Sequence, residues 1–143
     1  MRITIKCVVS PATSALIREI LNDFADSIEE WQDECREQGH SDCLIPQFSF
    51  RGDVAEYVTC SGKGHYTIVL GDEEILVTFE GYRRSFLDGN LLLAFEEVPE
   101  YPEAGNYLTV IFCGEQPDGM PIEVHLSGEI IEYHTSMPEK PLK

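Results

Sequence analysis

Positive charge is scarce in this sequence. It holds 10 lysine and arginine residues against 26 aspartate and glutamate residues, which gives a formal net charge of −16. Such a chain is repelled by nucleic-acid phosphates and by anionic membrane surfaces, whereas a cationic protein surface attracts it. We therefore expect no direct nucleic-acid binding and no membrane binding. An acidic surface that serves only solubility would give the same charge balance.

Long apolar runs are also missing. No apolar run approaches the roughly 20 residues that span a bilayer. Residues 1–9 alternate polar and apolar side chains, unlike the continuous apolar core of a signal peptide. The cysteines are odd in number and scattered, at Cys7, Cys35, Cys43, Cys60 and Cys113. We therefore expect a cytoplasmic protein with free thiols.

Motifs of catalysis and metal binding are lacking as well. There is no Gly-x-Ser-x-Gly elbow, no phosphate-binding loop and no cysteine in a recognisable catalytic signature. Cys35, His40 and Cys43 lie near one another, and Cys60 and His65 flank a turn, but their spacing is not that of a zinc site. Whether these side chains converge on a metal is left open. We predict no catalytic residue, no metal and no cofactor, and an enzyme is the third hypothesis for function.

A long amphipathic helix is the most informative feature that is present. It is predicted from Pro11 to Gln38, after the N-cap residue Ser10 and before the C-terminal cap Gly39. At about 100° per residue, its apolar and acidic side chains fall on opposite faces. The apolar face contains Ile17, Ile20, Leu21, Phe24, Ile28, Trp31 and Cys35, and the acidic stripe contains Glu19, Asp23, Asp26, Glu30, Asp33 and Glu37. We predict that the apolar face, with Trp31 as a core anchor, is buried and that the stripe faces solvent.

Short alternating segments separated by turn signals fill the rest of the chain. Tight turns between successive strands indicate antiparallel pairing. The predicted fold is α+β, with one long amphipathic helix packed against a curved antiparallel sheet of about seven to nine short strands. A two-sheet sandwich with the helix across one face is the alternative. We assign residues 1–136 to a single domain and residues 137–143 to a proline-containing tail. Further details are strands at 81–86, 122–126 and 129–133, a hairpin turn at Asp88-Gly89-Asn90, and turns at Ser61-Gly62-Lys63-Gly64 and Ser127-Gly128.

A second acidic cluster occupies residues 96–103. An acidic loop that carries a tyrosine suits protein recognition, because tyrosine is favoured at interface hot spots. The alternative is a polar loop whose tyrosine lies on the core. The predicted partner-binding residues are therefore the acidic stripe together with Glu97, Glu100, Tyr101 and Glu103.

The acidic stripe indicates a cationic partner. Like charges three or four residues apart on a helix repel by roughly 0.2–0.5 kcal/mol per pair, so stability alone does not explain the stripe. In composition only, the chain resembles small acidic inhibitors of cationic proteins, such as toxin-immunity proteins and anti-defence nucleic-acid mimics. We predict an acidic inhibitor that neutralises a basic protein, for example a nuclease or another nucleic-acid-binding protein. The alternative is a small-molecule-binding α+β module with a cavity between helix and sheet.

Overall fold

The computed structural model describes residues 1–39, 46–59, 64–87 and 91–135. They form a mixed α+β half-barrel, in which one long helix packs against a curved antiparallel sheet of eight strands. The predicted fold is confirmed. The sandwich alternative is wrong, because the described strands all belong to one sheet.

The first strand of the chain lies inside the sheet, between two strands that come much later. The strand order is β2-β3-β4-β5-β1-β8-β7-β6, and every neighbouring pair is antiparallel. No helix in the described part of the chain is both long and apolar enough to cross a membrane. The elements are β1 Arg2–Val8, α1 Pro11–Glu37, β2 Gln47–Arg51, β3 Val54–Val58, β4 Gly64–Leu70, β5 Glu74–Gly81, α2 Arg83–Leu87, β6 Leu93–Glu96, β7 Tyr107–Glu115 and β8 Pro121–His134.

Both ends of α1 follow the sequence signals. Ser10 Oγ accepts a hydrogen bond from the Thr13 backbone N–H at 3.1 Å, as an N-cap does. Beyond the other end, Gly39 takes a positive φ of 84° and its N–H donates to the Arg36 carbonyl. The buried Ser14 hydroxyl donates to the Gly71 carbonyl at 2.6 Å, which fixes the first turn of the helix to the turn between β4 and β5.

The two faces of α1 have the predicted orientation, although burial of the apolar face is incomplete and Cys35 is only partly buried. Ile17, Ile20, Leu21 and Ile28 are buried, and Phe24 and Trp31 are partly buried against the core. Every residue of the acidic stripe is exposed. The predicted orientation of the helix is confirmed.

Aromatic rings show how far the sheet curls. Tyr66 on β4 stacks on Phe95 on β6, with ring centroids 6.0 Å apart, although several strands separate β4 from β6 in the sheet. Phe86 from α2 lies between Phe95 and Phe79, with centroid distances of 4.3 and 5.3 Å. The sheet therefore bends until β6 faces β4, and α2 supplies the ring between them.

Two local predictions are wrong. The strand predicted at 81–86 retains only Gly81, and Arg83–Leu87 form the short helix α2 instead. The strands predicted at 122–126 and 129–133 are one continuous strand, β8, so Ser127-Gly128 is not a turn. Gly128 is needed for close packing rather than for a turn, because a Cβ there would lie 2.5 Å from Ile5 Cγ2.

Other predicted details fall on residues that are not described. Asp88-Gly89-Asn90, Ser61-Gly62-Lys63 and the tail at 137–143 all lie outside the described residues. The elements on either side of the predicted hairpin at 88–90 are α2 and β6, and β6 pairs with β7. These flanking elements therefore do not pair with each other as the two strands of a hairpin would.

Candidate functional site

A groove of about 950 Å³ lies between α1 and the end of the sheet where β7 finishes and β8 begins. It is partly open to solvent. The α1 side is formed by residues three or four apart in sequence, which share one side of a helix. The groove is lined by Ile20, Asp23, Phe24, Asp26, Ser27, Ile28 and Trp31 from α1, by Leu91, and by Cys113, Gly114, Glu115, Gln116, Pro117 and Pro121 from β7, β8 and the turn between them.

Close contact between α1 and β7 forms one end of the groove. A Cβ on Gly114 would lie 3.2 Å from both Cγ1 and Cγ2 of Ile20, which is tighter than an ordinary contact. The absence of a side chain at Gly114 therefore lets the helix approach the strand at Ile20. On the opposite side of α1, Arg18 pairs with Asp53 at 2.5 Å and lies over the Phe50 ring at 5.6 Å. These contacts hold the helix across the sheet between β2 and β7.

The chemistry of the groove is apolar with acidic edges. Ile20, Phe24, Ile28, Trp31 and Leu91 provide aliphatic and aromatic surface. Among the described residues that line it, three are acidic, namely Asp23, Asp26 and Glu115, and none is basic. All three carboxylates belong to exposed residues. A ligand with an apolar surface and positive charge complements this arrangement.

Cys113 contributes to the wall of the groove, but its side chain points to the other face of the sheet, because neighbouring Gly114 faces Ile20 and side chains alternate along a strand. Its thiol is partly buried, and its pKa is raised above the ordinary value, first by desolvation and then by the negative charge of Glu123. Burial alone raises the pKa of the Cys7 thiol to about 12. Because the thiolate is the reactive form, both thiols are poor nucleophiles near neutral pH.

We expect alkylation of Cys113 by iodoacetamide to accelerate as the pH rises past the ordinary thiol range, because the thiolate forms late. Glu123→Gln removes one cause of the raised pKa, so this variant should react faster than wild type at a fixed pH below that range. Glu129→Gln, on the same strand, is the control. Mass spectrometry of the Cys113 peptide over time measures both rates, and equal rates in the two variants would contradict the assignment to Glu123.

The structure distributes the ten predicted partner-binding residues over two places. Asp23 and Asp26 line the groove, and the other stripe residues continue along the exposed side of α1. Glu97, Glu100, Tyr101 and Glu103 lie in the loop before β7, whereas the groove lies by the end of that strand. The acidic loop and the groove therefore lie at opposite ends of β7, whose eight residue steps from Tyr107 to Glu115 correspond to about 26 Å of extended chain.

The acidic loop is held in place by hydrogen bonds to β7 and α2. Glu97 has a φ of 61° and accepts a hydrogen bond from Thr109 Oγ1 at 2.7 Å. Arg83 donates to the Pro99 carbonyl at 3.1 Å. Tyr101 is 81% exposed, so the alternative in which it lies on the core is wrong.

Much of the groove was missed by the sequence argument. The sequence predicts Trp31 as a core anchor, but Trp31 is partly buried and also lines the groove. Leu91, Cys113 and Glu115 were not singled out as site residues, because their approach to α1 depends on the curvature of the sheet. The apolar helix face was the one available signal for this site.

The zinc hypothesis falls mainly outside the described residues. His40, Cys43 and Cys60 are not among them, whereas Cys35 and His65 are. Within the described ranges, no group of three or more histidine, cysteine or acidic side chains is arranged to hold a metal ion. Cys7, Cys35 and Cys113 are free thiols.

Scans against models of protein families, against curated proteins and against solved structures find no match to this chain. The groove, the acidic stripe and the acidic loop are therefore the features that bear on function.

Proposed function

We propose that this protein is an acidic binding protein that neutralises a basic protein partner, in the manner of an immunity protein or a nucleic-acid mimic. The observation that carries the proposal is the exposed acidic stripe of α1. Its carboxylates recur every three or four residues from Glu19 to Glu37 and span about 27 Å along the helix. A linear array of negative charges is also what a nucleic-acid backbone presents to the proteins that bind it.

Few positively charged side chains pair with the acidic stripe, so most of its negative charge is uncompensated. Within the described residues, the ion pair made by a stripe residue joins Asp33 to Arg36 at 3.2 Å. Arg18, the other arginine of α1, is directed to Asp53 and the Gly52 carbonyl. The electrostatic field of the stripe therefore extends into solvent, where it would increase the rate of association with a cationic surface. The exposed Tyr101 in the acidic loop supports a protein partner, since tyrosine is enriched at interface hot spots.

The test is capture of a partner on the immobilised protein, identification by mass, and association kinetics at two ionic strengths. Reversing Asp26, Glu30 and Asp33 to lysine should slow association by about tenfold or more at low salt, because steering is lost. The melting temperature should change little, since all three residues are exposed. Added salt should weaken the wild-type complex more than the mutant complex.

A matched control separates local charge from net charge. The acidic residues 72–74 are exposed and lie in the turn between β4 and β5 and at the start of β5. Reversing these three to lysine makes the same change in net charge away from the stripe. Equal association rates for the stripe variant and the wild type, with both proteins folded, would rule out the stripe as the binding surface.

A small-molecule-binding module is the second candidate, and the groove between helix and sheet is the observation that favours it. Its volume of about 950 Å³ lies at the upper end of the range for small-molecule sites. Its partial openness and acidic edges fit this function less well, because small-molecule sites bury most of the ligand surface.

A further inference from the structure

We propose that the groove between α1 and the β7–β8 hairpin receives an amphipathic basic segment of the protein partner. Apolar side chains of that segment would pack against Phe24, Trp31 and Leu91, and its lysines or arginines would pair with the carboxylates at the edge. The inference rests on the proposed function, because it specifies which part of a basic partner is bound and where.

The apolar surface of the groove has the spacing that a docked segment needs. Phe24 and Trp31, two turns apart on α1, are partly buried and so keep some ring surface exposed in the groove, whereas Ile20 and Ile28 are 4% and 3% exposed and form its floor. Leu91 also lines the groove and is 51% exposed. Amphipathic helices bind in grooves of this type by inserting residues spaced three or four apart.

Charge complementarity selects the occupant. Asp23 and Asp26 are exposed residues on the α1 side of the groove, and Glu115 is an exposed residue at the end of β7. A segment bound in the groove would therefore lie beside negative charge on α1. A second copy of this chain has the same acidic edges and a formal net charge of −16, so like-charge repulsion opposes it.

The probe is a synthetic peptide of about four helical turns, built only from leucine and lysine in amphipathic order. Trp31 is the single tryptophan of the chain and lines the groove, so its fluorescence reports on the site. We expect a saturable change in Trp31 emission with the amphipathic peptide and a much weaker response to a scrambled peptide of the same composition.

The double variant Leu91→Lys/Glu115→Lys tests the groove without touching α1. We expect it to raise the Kd of the amphipathic peptide by about tenfold or more, since it removes apolar surface and reverses an edge charge. Val8→Lys/Glu73→Lys is the matched control. It replaces one exposed valine and one exposed glutamate away from the groove and makes the same change in net charge. Melting curves establish that both variants are folded.

Several results would overturn the proposal. These are equal affinity of the two double variants, equal affinity of the scrambled peptide, or no change in Trp31 emission. Saturable binding of the neutral dye Nile red that the Leu91→Lys/Glu115→Lys variant weakens, with no binding of the peptide, would assign the groove to a small molecule instead. A dimer in sedimentation that Leu91→Lys dissociates would assign it to a second copy. The proposed function fails on a separate result, namely unchanged partner kinetics in the stripe variant.

Discussion

Replacement of Phe86 by alanine is expected to lower the free energy of unfolding by about 3–5 kcal/mol, the range for large-to-small changes of a buried phenylalanine. Phe86 is 1% exposed, and its ring lies 4.3 Å from Phe95 and 5.3 Å from Phe79 between ring centroids. Phe86 is the buried residue of α2, so its truncation removes the helix's contact with these two rings and leaves a cavity beside them. A thermal scan should show a melting temperature lower by about 12–20 °C, at roughly 4 °C per kcal/mol for a chain of this size.

The neighbouring Leu87 provides the control for this prediction. It lies on the same helical turn but is 46% exposed. Leu87→Ala therefore changes helix propensity without opening a cavity and should stay within about 0.5 kcal/mol of the wild type. Equal losses in the two variants would mean that α2 contributes as a surface helix and that Phe86 does not join β6 to β5.

Local periodicity made the main elements predictable. The helix ends were correct because Ser10 and Gly39 act on backbone groups beside them. The strands were recognisable because one face of the curved sheet is buried and the other is more exposed to solvent, so apolar and polar side chains alternate along each strand. Both signals depend on residues within one element. They are therefore present in the sequence before any tertiary contact forms.

The errors occurred where tertiary contacts override local pattern. A strand is predicted at 81–86, but Phe86 must reach Phe79 and Phe95, and a helical turn places it there. Ser127-Gly128 has the composition of a turn, but Gly128 is a packing residue in the middle of β8. Neither outcome follows from the immediate neighbours in the sequence.

The candidate site also has one part that local sequence pattern predicts and one part that depends on tertiary contacts. The acidic stripe was predictable from helical spacing alone. The groove was not, because Leu91, Cys113 and Glu115 are distant from α1 in sequence and meet it only through the curl of the sheet. The close approach of Ile20 to Gly114 is likewise a tertiary contact. Asp23 and Asp26 link the two features, since they belong to the stripe and also line the groove. A basic partner attracted by the stripe would thus arrive beside an apolar surface.

Substitution of Gly128 by alanine is expected to destabilise the protein by about 1–3 kcal/mol through overpacking. In an open strand position the same change would stabilise, because glycine costs about 0.5–1 kcal/mol relative to alanine. Here the new Cβ would lie 2.5 Å from Ile5 Cγ2, with Val110 Cγ2 at 3.1 Å and Cys7 Sγ at 3.3 Å. Ile5 is fully buried, so its methyl group cannot move outward to solvent. The sign of the change therefore reports directly on the contact between β8 and β1.

A double-mutant cycle with Ile5→Ala, measured by urea unfolding, identifies the contact responsible. Ile5→Ala alone should cost about 2–5 kcal/mol because it leaves a cavity. The loss of unfolding free energy in the double variant should be smaller than the sum of the two single losses by about 1 kcal/mol or more, because the alanine at 128 then occupies the vacated space. Ser127→Ala, at an exposed position of the same strand, should remain within about 0.5 kcal/mol of the wild type. Additive losses in the cycle, or a Gly128→Ala protein as stable as the wild type, would show that β8 can shift away from β1 and that close packing does not require glycine at this position.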